Sequence, residues 1–362
     1  MRIGIIAHLK HAIREPYAGG LEMHTSLLLS ALQRRGHDVT VFASSRSQPE
    51  AYVEAICDET SLFEIGCDEA PDKAFFQEHH AYLSLMNGLR NRPFDLIHNN
   101  SLHYLPVAMA DALPMPMVTT LHTPPFAWLE SGVRLCKAPH ATFVAVSESI
   151  RRLWSRVAPV DHVVMNGIDL DRFAFRNEPA EEPYWIWYGR IVPEKGLHHA
   201  VAAARLAGAR LLIAGPISDE AYFAREIAPL LKDRIGYLGH LPHVELAAVI
   251  GGARVFLCTP CWEEPYGLVV AEALACGVPV AAFARGAIPE LLDPACGVLA
   301  TPDDPASLAQ AALAAQRLDR HACRGRAESR CDAERMIEEY EALYVDLVTG
   351  SARSMAKTQA AA

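Results

Sequence analysis

The chain has 362 residues, 51% of them apolar and 21% charged, with a formal net charge of −10. One hydrophobic core rarely grows past roughly 250–300 residues, so two domains are expected, and the acidic balance argues against a polybasic surface for nucleic acid or anionic lipid. The nine cysteines are odd in number, the N-terminal run lacks a signal-peptide apolar stretch, and no apolar run reaches about 18 residues; reduced thiols, a cytoplasmic location and no transmembrane segment are expected.

Short β-branched runs alternate with longer amphipathic ones. Ile3–Ala7 reads as a strand, Gly20–Arg35 as a helix stopped by Gly36, and Asp38–Ala43 as the next strand. Strands follow at Phe94–Asn99, Pro116–Leu121, Thr142–Ser147 and His162–Met165, with helices near Phe75–Arg90, Tyr104–Asp111 and Glu148–Arg156. Asp169–Pro183 is polar and acidic with two prolines, and reads as a linker. Alternation restarts at Tyr184–Tyr188 and continues through Arg210–Ala214, Arg234–Leu238, Arg254–Cys258, Val278–Phe283 and Gly297–Ala300. Helices are expected near Leu197–Ala207, Glu220–Leu231, Val244–Ile250 and Leu268–Cys276, then at Pro305–Arg320 and Asp332–Val348. The fold class is therefore α/β, with two Rossmann-like, doubly wound parallel sheets. The expected division is 1–170 for a first domain, 171–335 for a second, 336–350 for a last helix and 351–362 for a disordered tail. The acidic stretch Asp58–Glu78 has no functional reading. Doubly wound sheets take ligands outside the carboxyl ends of their strands, so two such edges facing each other would form a cleft.

Three strand-end segments carry chemistry. Gly19-Gly20 leads directly into a helix, where glycine lets the backbone approach a ligand and free N–H groups suit a phosphate or sugar hydroxyl; a plain strand–helix turn accounts for it equally well. Gly189 to Gly196 places Arg190 and Lys195 on one loop, a forked and a compact cation suited to a diphosphate. The third segment, Cys261 to Val280, holds two glutamates, Glu264 before a helix and Glu272 inside it, with Gly267 opening that helix. The helix start would hold phosphate oxygens, and a carboxylate would accept from ribose or sugar hydroxyls.

In this order, with Val146-Ser147-Glu148, Asn166-Gly167-Ile168-Asp169, Leu238-Gly239 and Gly286-Ala287-Ile288-Pro289-Glu290, these segments resemble the retaining, family-4 (group 1) nucleotide-sugar glycosyltransferases of the GT-B fold. The resemblance covers nearly the whole chain apart from the acceptor region and the tail. It implies a nucleotide-sugar donor, by family frequency a UDP-sugar, and transfer with retention to a small-molecule, glycan or lipid-linked acceptor. It also implies Arg190 and Lys195 on the diphosphate, Glu272 on the ribose, backbone N–H groups near Leu268 and Val269 on phosphate, Glu264 on the sugar and the Tyr237-Leu238-Gly239 loop at the base. Gly19, Gly20, Gly189 and Gly267 would let the backbone approach the donor. His122 stands where the family often carries a histidine near the transferred sugar. The last helix would return to the first domain.

One segment departs from the family pattern: Thr123-Pro124-Pro125-Phe126-Ala127-Trp128 follows His122 where many relatives place an acid. Phe126 and Trp128 would stack on an acceptor or serve as core or domain-contact residues. Cys258-Thr259-Pro260-Cys261 has pair spacing without a second pair or suitable histidine spacing, so no metal and no cofactor are expected. His79-His80 and His198-His199 read as surface residues on helices. A nucleotide-sugar epimerase on the same scaffold, or a non-catalytic sugar-nucleotide-binding protein, are the alternatives. Lipid acceptors among relatives leave peripheral membrane association open, although no basic amphipathic helix is present.

Overall fold

The computed structural model describes residues 1–15, 17, 19–57 and 73–360; most of the Asp58–Glu78 stretch lies outside them. The chain divides into two compact units, Met1–Val164 together with the segment from Glu334 onward, and Met165–Ala333.

In the first unit, strands β1 (Arg2–Ile6), β2 (Asp38–Ser44), β3 (Val53–Cys57), β4 (Leu96–Asn99), β5 (Met117–Leu121), β6 (Ala141–Ala145) and β7 (His162–Val163) form a parallel sheet ordered β3-β2-β1-β4-β5-β6-β7. Helices α1 (Gly20–Arg34), α2 (Lys73–Leu89), α3 (Tyr104–Ala108), α4 (Ala127–Leu135) and α5 (Glu148–Trp154) make the crossovers. Central strands are apolar on both faces because helices cover both, which is why β1 reads as an unbroken apolar run with Ile3, Ile5 and Ile6 fully buried.

In the second unit, β8 (Trp185–Tyr188), β9 (Leu211–Ala214), β10 (Ile235–Tyr237), β11 (Val255–Cys258), β12 (Val280–Phe283) and β13 (Gly297–Ala300) are parallel in the order β10-β9-β8-β11-β12-β13. Helices α6 (Leu197–Ala207), α7 (Glu220–Tyr222), α8 (His243–Gly252), α9 (Leu268–Ala275), α10 (Ile288–Leu291), α11 (Pro305–Ala315) and α12 (Arg320–Arg330) belong to this unit. The run after α7 is a π-helical turn at Phe223–Ile227 rather than continuous α-helix. Each order reverses direction beside the first strand of its unit, and ligand loops gather at such switch points.

The last helix, α13 (Ala333–Ala360), is built into the first unit from Glu334 onward. Met336, Ile337, Tyr340, Leu343 and Tyr344 bury their side chains among Ile3, Ile5, Leu28 and Leu32. Its backbone is helical to Ala360, well into the segment expected to be a disordered tail, and the last two residues lie outside the described ones.

The sequence pattern misplaced three elements. The expected helix Pro305–Arg320 ends at Ala315, and a separate helix, α12, begins at Arg320. That helix is largely polar, so apolar periodicity does not reveal it. It is held by arginines that cap other helices. Arg320 is buried and donates to the carbonyls of Arg176 (2.7 Å), Ala253 (2.8 Å) and Gly251 (2.6 Å), and Arg324 donates to those of Phe173 and Ala275 (both 2.9 Å). Cations at helix C-termini also meet the negative end of the dipole. Strand β3 escaped notice because three of its five residues are only partly buried and two are exposed. Trp128 is not in a loop: it sits in the first turn of α4, which starts at Ala127.

Candidate active site

The loops that follow β8 and β11 carry the candidate donor site of the second unit. After β8, Gly189 adopts φ +148° and its carbonyl lies so near Gly215 that a Cβ there would come within 2.0 Å. The chain then turns through a single 3₁₀ turn, Pro193–Lys195, into Gly196 at φ +65°. A Cβ on Gly196 would lie 2.0 Å from the Thr259 carbonyl, so only glycine lets these two loops touch. They are laced together: the Thr259 hydroxyl donates to the Lys195 carbonyl (3.0 Å), and the Cys261 N–H donates to the Glu194 carbonyl (2.8 Å).

This lacing brings Lys195 onto Glu264. The ammonium lies 2.7 Å from Oε2, which also accepts from the Trp262 indole N–H at 2.9 Å, and the Lys195 Nζ stands 5.3 Å from the Trp262 ring centroid. Glu264 is buried, and its backbone carbonyl accepts from Ala287 N–H at 2.9 Å. Gly286, at φ +57°, packs so closely that a Cβ would stand 2.2 Å from that carbonyl oxygen. Arg190 is exposed and has no hydrogen bond or ion pair among the described residues.

Gly267, at φ +98°, opens α9. The first bond of the turn runs from Val270 N–H to the Gly267 carbonyl, leaving the Leu268 and Val269 N–H groups ahead of it at the positive end of the helix. One turn on, Glu272 is buried. Burial raises its carboxyl to about 7, against the opposing pull of the Tyr188 hydroxyl and the Arg172 charge. Tyr188, the last residue of β8, donates to the Val269 carbonyl and so ties the strand to the helix start. The Leu238 N–H donates to the Ile213 carbonyl (2.8 Å) and its side chain is exposed, while Tyr237 donates to the Gly215 carbonyl (2.8 Å).

In the first unit, His122 follows β5 and donates from Nε2 to Asn100 Oδ1 at 2.8 Å, which leaves Nδ1 as an acceptor. Burial, with His24, His98 and His8 nearby, pushes its imidazole well below the ordinary histidine range, so it is neutral at pH 7. The buried Trp154 holds the following loop by donating to the Thr123 carbonyl (2.7 Å). At the start of α1, Gly19 has no side-chain cap to offer, and Glu22 fills the space: its Oε2 would be 3.2 Å from a Cβ on Gly19, and its Oε1 is 2.8 Å from His8 Nε2. Burial raises the Glu22 carboxyl, but the His8 contact outweighs it and the net shift is downward. An anionic side chain already at this helix start favours a hydroxyl over a phosphate there.

Phe126 and Trp128 are exposed and line a pocket of about 180 Å³ with Lys10, Glu78, His103 and Tyr104. Trp128 stacks on Tyr104 with ring centroids 5.5 Å apart, so it belongs to an aromatic wall rather than to the core.

Sequence reasoning missed Glu22, Tyr188, Trp262 and Glu78. Two carried a signal: Glu22 is an acid in the first turn after Gly19-Gly20, and Tyr188 is the last strand residue before Gly189. The structure also brings His198 and His199 beside Cys261, one ligating atom from each lying within 4.8 Å of the others. His198 and His199 are therefore partly enclosed neighbours of the third motif, not simply surface residues of a helix.

Among the described residues no helix is long and apolar enough to cross a membrane. The family description "Glycosyltransferase Family 4" matches residues 18–172, and "Glycosyl transferases group 1" matches residues 170–329. The chain is 29% identical over 342 residues to a glycogen synthase of Mycobacterium tuberculosis, covering 81% of each. It is 34% identical over 143 residues to a D-inositol 3-phosphate glycosyltransferase of Mycobacterium bovis, covering 35% of this chain and 30% of that one. Among solved structures, the Anabaena protein HepE in complex with UDP and glucose superposes with a TM-score of 0.73 at 17% identity, over 96% of this chain and 100% of that one. Sucrose-phosphate synthase from Thermosynechococcus elongatus gives 0.72 at 23% identity, over 96% and 99%. The two adjoining family matches and the two Rossmann-like sheets agree, and this chain belongs to the family-4, group 1 glycosyltransferases of the GT-B fold, enzymes that use a nucleotide-sugar donor.

Proposed function

We propose that the enzyme transfers a sugar from a UDP-sugar, with retention at the anomeric carbon, to a hydroxyl of a small-molecule, glycan or lipid-linked acceptor. The observation that carries the donor reading is the second unit's strand-end constellation: a Lys195–Glu264 pair joining the loops after β8 and β11, the open start of α9, and a buried Glu272 one turn behind it. Lys195, the exposed Arg190 and the Leu268 and Val269 N–H groups would take the diphosphate. Glu272, costly to bury charged without donors around it, would accept from the ribose hydroxyls. The Leu238 loop would meet the base. The choice of UDP is supported by HepE, solved with UDP.

In the transfer, the bond from the anomeric carbon to the diphosphate oxygen breaks. The acceptor oxygen bonds to the same face, and its proton passes to the departing phosphate oxygen. The developing charge falls on preorganised donors, which together replace a metal ion in this reading. Glu264 is unsuited as a nucleophile because its Oε2 is already bound by Lys195 and Trp262; it would position the sugar instead. His122, neutral with Nδ1 free to accept, would hold a sugar hydroxyl. Trp128 and Tyr104 would stack on the acceptor, with Glu78 and Lys10 taking its polar groups. Intact-mass analysis after incubation with a fluorinated donor analogue would detect a glycosyl-Glu264 adduct, and finding one would replace same-face transfer with double displacement.

The donor reading is tested by thermal melts of wild type and Glu272→Ala with UDP, GDP, ADP and their sugar conjugates. A ligand at about 100 times its Kd adds roughly 2.7 kcal/mol to a folded state that alone binds it. Stabilisation by the uridine ligands, reduced in Glu272→Ala, is expected. Stabilisation by another base alone would reassign the donor, and none at all would remove the donor site from this unit.

A further inference from the structure

We propose that His198, His199 and Cys261 form a site for a borderline-soft divalent cation of the zinc type, which clips the Lys195 loop to the Glu264 loop. The three side chains come from the first turn of α6 and from the segment after β11, more than sixty residues apart, and one nitrogen or sulfur from each lies within 4.8 Å of the other two. Tetrahedral coordination with bonds of about 2.0–2.3 Å places ligand atoms about 3.5 Å apart. Closing the set requires the ligand atoms to approach one another by at most about 1.3 Å.

The donor chemistry fits. Two imidazoles and a thiolate suit zinc or cobalt and are poor ligands for magnesium or calcium, which take oxygen. Each ring also has an orienting partner. The Tyr222 hydroxyl is 2.8 Å from Nδ1 of His198, and Asp303 Oδ1 is 3.5 Å from Nε2 of His199. Among the described residues the other nitrogen of each ring has no hydrogen bond, so it remains available to an ion. A hydroxyl or carboxylate behind a metal-bound histidine fixes the ring and the tautomer. Asp303 is itself held by Arg285 on two sides, which suits it to this supporting role rather than to ligation. Three protein ligands leave one position for water.

The neighbours of the site are the two loops of the donor constellation. Lys195 and Gly196 stand three and two residues before His198, and Trp262 to Glu264 immediately follow Cys261. A Cβ on Gly196 would already be 2.9 Å from Cys261 Sγ. An ion here adds a covalent-strength tie between loops that otherwise meet through backbone and hydroxyl hydrogen bonds. On binding, the Cys261 thiol loses its proton to solvent and the sulfur bonds to the metal; no electron moves.

The test uses untagged full-length protein under reducing conditions, titrated with cobalt(II) as a spectroscopic probe. One equivalent should produce the thiolate-to-cobalt charge-transfer band of the near ultraviolet. Cys261→Ser should lose it, and Cys258→Ser, which changes the neighbouring thiol, should keep it. His199→Ala, which leaves every thiol in place, should weaken binding more than tenfold, and Asp303→Asn by roughly 10–100-fold. Zinc should displace the cobalt and raise the Tm of wild type but not of Cys261→Ser, with circular dichroism confirming that each variant is folded. Absence of the band in wild type, or its persistence in folded Cys261→Ser, would overturn the site.

Discussion

Single residues set the chemistry, and Glu272 offers the sharpest expectation. Its folded-state pKa of about 7 lies above the ordinary carboxylate value, so between about pH 4.5 and 7 the native state holds a proton that the unfolded chain has released. Stability from this group is therefore full below about pH 4.5, declines as pH rises, and levels off above pH 7. A shift of this size corresponds to about 3 kcal/mol. Denaturant melts at pH 5 and pH 8 should show Glu272→Gln lacking that part of the wild-type decline; equal slopes in the two proteins would contradict the burial argument. Lys195 should act on the ligand instead. A charge-assisted hydrogen bond is worth about 1.5–3 kcal/mol, so Lys195→Ala should weaken UDP-sugar binding roughly 10–150-fold by calorimetry. The two-glutamate segment and both cations were legible in the sequence because they stand in strand-end loops. The Trp262 contact to Glu264 was not, since nothing in the spacing of 262 and 264 shows that a carboxylate is already paired with a lysine sixty-nine positions away.

At the level of elements, glycines decide how closely the strand-end loops approach. Gly286 combines φ +57° with a Cβ position 2.2 Å from the Glu264 carbonyl, so alanine there must push the Glu264 loop back. Strained backbone costs about 1–3 kcal/mol, and Gly286→Ala should lower Tm modestly while weakening UDP-sugar binding at least tenfold. Unchanged affinity would mean that the loop's position does not matter. Helix α12 makes the complementary point. Its existence was hidden in the sequence because its binding energy comes from arginine-to-carbonyl contacts across sequence separations of 35 to 151 residues, not from an apolar stripe. Arg320→Leu leaves the carbonyls of Gly251 and Ala253 buried without their donor, and at about 1–3 kcal/mol for each unsatisfied group it should be strongly destabilising in urea. An Arg320→Lys variant should recover only part of that, because an ammonium lacks the fork.

For the molecule as a whole, alternation of strands and helices was enough to read two parallel α/β sheets, because a fully buried strand must be apolar on both faces. Alternation alone did not give the chain's return, which the family resemblance implied: the observed units part at Val164 and again at Glu334, so the first is completed by the last helix. Five buried side chains of α13, from Met336 to Tyr344, sit in that unit's core. Each is worth about 1.5–3 kcal/mol, and their sum rivals the 5–15 kcal/mol by which a domain is stable. A chain ending at residue 333 should therefore lose cooperative unfolding of the first unit, whereas one ending at residue 350 should melt within a few degrees of wild type. The measurement that bears most directly on the whole account is UDP-sugar affinity between pH 5.5 and 8. The ester-linked phosphates of the donor do not titrate there, so any dependence reports the protein. Wild type should bind up to tenfold more weakly for each pH unit below about 7 and reach a plateau above it, while Glu272→Gln binds weakly with no such dependence. A wild-type affinity that is flat across this range, or unaltered by Glu272→Gln, would contradict the placement of the donor ribose on Glu272.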